Sequence, residues 1–304
     1  MQTDSASTRQ NSFIDLAAQR VIRASGVMAI AFVVLIFVFL LREGLPAFTE
    51  VPLGDLLSTR WYPIESHFGL LPLILGSLVV TIGAAIIAVP TGVLSAIFIA
   101  EIAPRWLREI LKPMIEVVAG IPSVVLGFIG MIALSPLVRE VFNAPTGLTA
   151  FTGSMVLAYM SLPTLISVAE DALDAVPKSY RDAALALGAT KWQTIWMVTL
   201  KAARTGILTA IMLGIGRAIG ETMAVMMVTG NAARMPLSLD SFFMPARTMT
   251  ATVAAEMGEV ARNSTHFHVL FAIGIVLFVI TFIVNVIASI AIFRQARRSA
   301  RLLS

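Results

Sequence analysis

Glu170-Asp171-Ala172-Leu173-Asp174-Ala175-Val176-Pro177-Lys178-Ser179-Tyr180-Arg181-Asp182-Ala183-Ala184-Leu185-Ala186-Leu187-Gly188-Ala189-Thr190-Lys191-Trp192-Gln193-Thr194-Ile195-Trp196 is a polar interruption between two long apolar runs. It carries its own folding instructions. Pro177 suits the first turn of a helix, and Ser179 with Asp182 three residues on has the form of a capping box. Ala183, Ala184 and Leu187 make a small apolar face at helical spacing, and Gly188 supplies the stop. Thr190 with Gln193 reads as a second capping box, opening a helix that runs into the next apolar run. The stretch is expected to fold as helix, tight turn, helix, outside the bilayer. The plainer alternative is an amphipathic connector between two spans. A loop that only fills solvent needs neither two caps nor a placed glycine.

The rest of the chain explains what this interruption interrupts. Of 304 residues, 58% are hydrophobic and 13% charged, with a mean hydropathy of +0.88. Soluble domains are about 25% charged, so the deficit points to a membrane protein with lipid as its surroundings. No cysteine is present, which excludes disulfides and thiolate metal sites. The pI near 9.8 does not imply a nucleic-acid partner, because the basic residues are distributed around apolar spans. His67, His266 and His268 form no metal-ligand pattern, and His266 and His268 read as part of a polar loop. No Gly-x-x-x-x-Gly-Lys-Ser/Thr phosphate loop occurs, so the chain is not expected to hydrolyse ATP itself. No enzyme activity and no cofactor are expected of it.

Six runs are long enough, or nearly so, to cross ~30 Å of hydrocarbon at ~1.5 Å per residue. They lie at about 25–41, 70–100, 114–137, 150–169, 206–230 and 269–293. The expected fold class is an all-α polytopic membrane protein with six transmembrane helices. It divides into an N-terminal segment 1–24, a six-span domain 25–293 and a basic tail 294–304. The domain contains the polar segment 170–205 and outer loops 42–69 and 231–268. Residues 1–10 are expected to be loose and 12–23 to form a separate helix on the membrane surface, before an uncleaved first span. Pro90 with Gly92, Gly120-Ile121-Pro122, and Pro163 are expected helix breaks. Such breaks survive in a bilayer only where protein or water re-satisfies the freed backbone groups.

Counting Lys and Arg sets the orientation. With both termini cytoplasmic, fifteen lie on the cytoplasmic side and six outside, with Arg217 inside a span. That is a positive-inside asymmetry, and it puts 170–205 in the cytoplasm. Trp61-Tyr62-Pro63 is placed to anchor at the outer interface, and Thr248 to Arg262 has the composition of a short helix.

Gly214-Ile215-Gly216-Arg217-Ala218-Ile219-Gly220-Glu221-Thr222 is the most chemically loaded stretch. A charge at mid-span costs roughly 2.5–3.5 kcal/mol on insertion scales, so such residues face the bundle interior or a wet cavity. Spacing of four puts Arg217 and Glu221 on one face. Gly216 and Gly220 would let a neighbouring helix approach. One reading is a structural ion pair. The other is a translocation site, in which the guanidinium grips a tetrahedral oxyanion and the carboxylate accepts from a protonated one. Thr222 adjoins that pathway.

Two sets of residues resemble known families. Asp182-Ala183-Ala184, then Gly188, then Val198-Thr199-Leu200 resembles the EAA loop of ABC-importer permeases, with Asp182 where Glu is usual and Lys201 where Pro is common. Arg217 to Val225, Gly120 to Val125, Ala88 to Gly92 and Phe282 to Asn285 are similar to PstC-type permeases of the phosphate importer, over about residues 60–295. The resemblance implies the MetI-like permease fold and a bacterial inner-membrane location. It also implies a PstA-type partner subunit, a PstB-type ATPase dimer and the periplasmic phosphate-binding protein PstS. In it, Ser179, Asp182, Ala183, Ala184, Leu187 and Gly188 would meet the ATPase. A PstA-type paralogue, or a permease for another oxyanion such as phosphonate, is the alternative within transport. A membrane signalling scaffold or passive anion channel is the alternative outside it.

Overall fold

The structure is a computed structural model that describes residues 4–236 and 238–301. The first and last three residues of the expected terminal segments, 1–3 and 302–304, lie outside the described residues. The chain begins with α1 (Asp4–Gly44), followed by the single turns α2 (Ala47–Glu50) and α3 (Leu53–Leu56) and a two-stranded hairpin, β1 (Trp61–Tyr62) with β2 (His67–Phe68). Then come α4 (Leu71–Ile97), α5 (Arg105–Ala119), α6 (Ser123–Ile129), α7 (Ser135–Val141) and α8 (Ala150–Asp174). The remainder is α9 (Lys178–Ala186), α10 (Lys191–Thr194), α11 (Leu200–Gly220), α12 (Met223–Val228), α13 (Met249–Glu256) and α14 (Thr265–Arg301). Six stretches among the described residues are helical, long and apolar enough to cross a membrane.

The central element is α8, packed along α4 and α11, while α1 and α14 pair at one side. Small residues make the central contacts close. A Cβ at Gly83 would lie 2.4 Å from Ser154 Oγ, and one at Gly206 would lie 2.3 Å from the Ala172 Cβ. Large side chains at these positions would push the three helices apart, and dense packing does not absorb that.

Several expectations are corrected. The surface helix at 12–23 is not separate, because α1 runs unbroken from Asp4. Pro90 and Pro163 do not break their helices, since α4 and α8 continue through both. Near Pro90, hydroxyls supplement the backbone ladder: Thr91 donates to the Ile87 carbonyl at 2.6 Å and Ser95 to that of Thr91 at 2.8 Å. Gly120-Ile121-Pro122 does separate two helices, but it ends α5 rather than kinking one long span. The third span is consequently Ser123–Val141, interrupted by a π turn at Gly130–Leu134. Trp61 is no interfacial anchor. It is buried in a core with Phe68, Leu73 and Leu270, and its indole N–H donates to Glu256 at 3.1 Å. His266 and His268 are not in a loop. They stand in the first turn of α14, paired with Glu256 and Glu50 at 2.8 Å each. The helix expected after Thr248 is α13, with the Thr248 hydroxyl as its cap.

Candidate functional site

The polar segment folds into the two short helices α9 and α10. Its first expected box does not form. Pro177 is itself the N-cap of α9, so Ser179 is already inside the helix and no side chain caps that end. Its C-terminal end is closed by a complete Schellman turn. Gly188 has φ +82°, its N–H donates to Leu185 O at 3.0 Å, and the Ala189 N–H reaches back to Ala184 O at 3.1 Å. The second box is present: Thr190 Oγ1 accepts from the Gln193 N–H at 3.2 Å, and Gln193 Oε1 accepts from the Thr190 N–H at 2.8 Å.

Ala184 faces the body of the protein, while Asp182, Ala183 and Gly188 face outward and Leu187 is 89% exposed. Tyr180, Leu185, Trp192 and Trp196 are exposed beside them. Such a cluster of large apolar side chains around two capped turns has the chemistry of a protein-docking surface.

Behind it lies an ion-pair network that joins α5 to α8. Glu170, 2% exposed, accepts from Arg108 at 2.6 Å and Lys112 at 3.0 Å. Arg108 also pairs with Asp174, and Lys112 with Asp171. The hydrogen bond to Glu170 raises the Lys112 ammonium above its ordinary 10.5. A raised cation stabilises fully below its unfolded value and loses that contribution only as pH climbs past the folded one. This link is therefore intact throughout the neutral range.

The mid-span charges are arranged differently from a helical pair. The helix α11 ends at Gly220, and Glu221 is extended with ψ 132°. Glu221 is consequently off the Arg217 face, and no ion pair joins them among the described residues. Instead Glu221 Oε1 accepts the Ala224 N–H at 3.3 Å in the first turn of α12, and its carbonyl accepts from the Thr250 hydroxyl at 3.0 Å. Thr222 donates to the Gly220 carbonyl at 3.3 Å, inside the break. Arg217 is exposed, and its one hydrogen bond among the described residues is from Nη1 to Thr164 Oγ1 at 3.1 Å. Thr164 lies near the middle of α8, so the guanidinium sits beside the midpoint of that span. Thr164 was not singled out from the sequence; its place directly after Pro163 was the only available signal. Gly216 and Gly220 admit no neighbour within this chain, since a Cβ at either would meet nothing within 4 Å. The side of α11 that carries Arg217 is open.

The two breaks lie close together. The half-helix α6, which follows Gly120-Ile121-Pro122, packs on the half-helix α12, which follows Glu221-Thr222. At the contact a Cβ on Gly127 would come within 2.8 Å of the Ala224 Cα. Irregular backbone at membrane depth requires protein or water around it, and discontinuous spans beside an open charged face suit a pathway.

A bundle of six spans with broken helices, an arginine beside the midpoint of one span and a capped polar segment defines a polytopic transport subunit. Residues 88–299 match the family described as binding-protein-dependent transport system inner membrane component, and the chain belongs to that family. It is 41% identical over 283 residues, 91% of each chain, to the protein named "Probable ABC transporter permease protein YqgH" of Bacillus subtilis. It is 34% identical to the phosphate transport system permease protein PstC of Mesorhizobium japonicum, over 97% of this chain and 94% of that one. The PstC of Xylella fastidiosa strain Temecula1 is 35% identical over 79% of each chain. Among solved structures, a bacterial alginate ABC transporter superposes with a TM-score of 0.61 over 91% of this chain and 95% of that one, at 15% identity. The MetNI methionine ABC transporter in an inward-facing form gives 0.59 over 78% and 99%, at 16% identity. These two establish the MetI-like permease fold and nothing about substrate. The chain is thus a multi-pass inner-membrane permease subunit of an ABC importer. It is not an enzyme; ATP hydrolysis belongs to a separate subunit, and a substrate-binding protein completes the system.

Proposed function

We propose that this chain is the permease subunit of an ATP-driven importer of inorganic phosphate. Its partners would be a PstA-type permease, a PstB-type ATPase dimer and the periplasmic binding protein PstS. The observation that carries the reading is Arg217: a guanidinium beside the middle of α8, on an open helix face, with one hydroxyl partner among the described residues. A planar cation with unused donors grips a tetrahedral oxyanion in two-point fashion. The names of the PstC relatives favour phosphate among such anions. The test is uptake of radiolabelled phosphate in proteoliposomes holding the assembled complex. ATP-dependent accumulation should be competed by unlabelled phosphate and not by sulfate. Equal competition by sulfate would refute the substrate.

In this reading both termini and α9 with α10 are cytoplasmic, and α9 with Gly188 seats on the ATPase. The absence of native cysteine allows a direct check in intact cells. An impermeant thiol reagent should modify Ser66→Cys and Ser238→Cys, and reach Ser179→Cys only after the cells are opened. Labelling of Ser179→Cys from outside would reverse the orientation.

A further inference from the structure

One side chain of α9 makes polar contacts with the ends of two spans. Arg181, on α9, directs Nε and Nη2 to Glu101 Oε1 at 3.1 and 2.6 Å. Its Nη1 donates to the Val176 carbonyl at 2.7 Å and Nη2 to that of Leu173 at 2.9 Å. Glu101 belongs to the π turn Phe98–Ile102 that closes α4; Leu173 is in the last turn of α8, and Val176 lies just beyond it. One guanidinium therefore joins α9 to the ends of two spans. Glu101 is 9% exposed, so the contact is largely withdrawn from water. The planar fork reaches a carboxylate and two carbonyls at once, which a point-like ammonium does not reproduce.

Nothing about folding α9 requires this arrangement. The Schellman turn closes α9, the capping box opens α10, and the one buried residue of α9 is Ala184. Its most extensive backbone contacts are with α10 and the π turn Ile195–Thr199. The three-residue link 175–177 already joins α9 to α8, with Val176 buried in one core with Ile97 and Ile99. Arg181 adds the charged contact from α9 itself to the π turn that closes α4.

We propose that Arg181 and Glu101 form the positioning clamp through which movement of α9 reaches α4 and α8. The proposal rests on reading α9 as the ATPase-contacting helix. Loss of a largely buried, charge-assisted link corresponds to about a tenfold or greater effect where the link is used. In the assembled complex, Arg181→Gln and Glu101→Gln should each still co-purify with the ATPase. Each should lower ATP-driven phosphate uptake at least about tenfold, and the double variant should be little worse than either single one.

A covalent substitute separates transmission from mere stability. In Arg181→Cys/Glu101→Cys, uptake should be low with free thiols. It should recover in the same sample when a short thiol-specific linker joins the pair. Uptake within about twofold of wild type in Arg181→Gln would overturn the clamp. Loss of the ATPase from that complex would also overturn it, by making Arg181 part of the docking face. So would a linked cysteine pair that retains the ATPase and recovers no uptake. Failure of the wild-type chain to co-purify with any ATPase would instead refute the reading of α9 itself.

Discussion

Replacing Arg217 with Gln should reduce phosphate uptake by roughly 10- to 100-fold while the complex still assembles, since the proposed anion site loses its charged hydrogen-bond donor. Within this chain the arginine is bonded only to Thr164 among the described residues, so its removal leaves no buried carboxylate unpaired. That separates the expected loss from the usual penalty of breaking a buried ion pair. Arg217→Lys should also be impaired, because an ammonium lacks the planar fork. Glu221→Gln keeps an acceptor for the Ala224 N–H and should be much milder than Glu221→Ala, which opens the first turn of α12. Uptake of radiolabelled phosphate at verified expression decides among these. Near-normal uptake in Arg217→Gln would move the site elsewhere.

The second large effect is expected at Gly188. With φ +82° and nothing within 4 Å of a Cβ, a side chain there meets backbone strain but no clash within the chain. Asn and Asp both tolerate the left-handed region at a cost of about 1 kcal/mol or less. The pair therefore separates conformation from contact. Gly188→Asn should insert and retain part of its uptake. Gly188→Asp should insert equally well and lose uptake by about tenfold or more, because a carboxylate is set into the docking surface. Membrane insertion by immunoblot, ATPase co-purification and uptake are the measurements. Full uptake in Gly188→Asp would show that this turn does not touch the ATPase.

What could be read from the sequence was mostly what is local. Apolar runs gave the number of spans but not all their bounds: the third and fifth, expected at 114–137 and 206–230, lie at Ser123–Val141 and Lys191–Gly220. Thr190 with Gln193 gave a box that the structure contains, because every group involved lies within four residues. Gly188 as a helix stop was legible for the same reason. Ser179 with Asp182 was misread because Pro177, whose fixed φ also suits the N-cap, starts α9 earlier than the box requires. Arg217 and Glu221 were placed on one helical face because nothing local announces the break after Gly220. The break is held from α13, where Thr250 bonds the Glu221 carbonyl across 29 positions. Arg108 with Glu170 and Arg181 with Glu101 are 62 and 80 residues apart. Counting basic residues registered these arginines only as charge, and a single sequence held no sign of their partners.

The corner between α9 and α10 has one mechanical property beyond its shape. Its backbone groups are satisfied on both sides, by the Schellman turn and by the capping box, so the bend has little slack. From Lys191 the chain continues as one helical stretch through the π turn to Gly220, 30 residues in all. At ~1.5 Å per residue, Arg217 stands about 39 Å along that rod. A tilt of about 5° at the corner would sweep the guanidinium through about 3 Å, comparable to one hydrogen-bond length. If Arg217 holds the anion as proposed, this segment would act as a lever, in which a small rotation at the corner makes or breaks the grip.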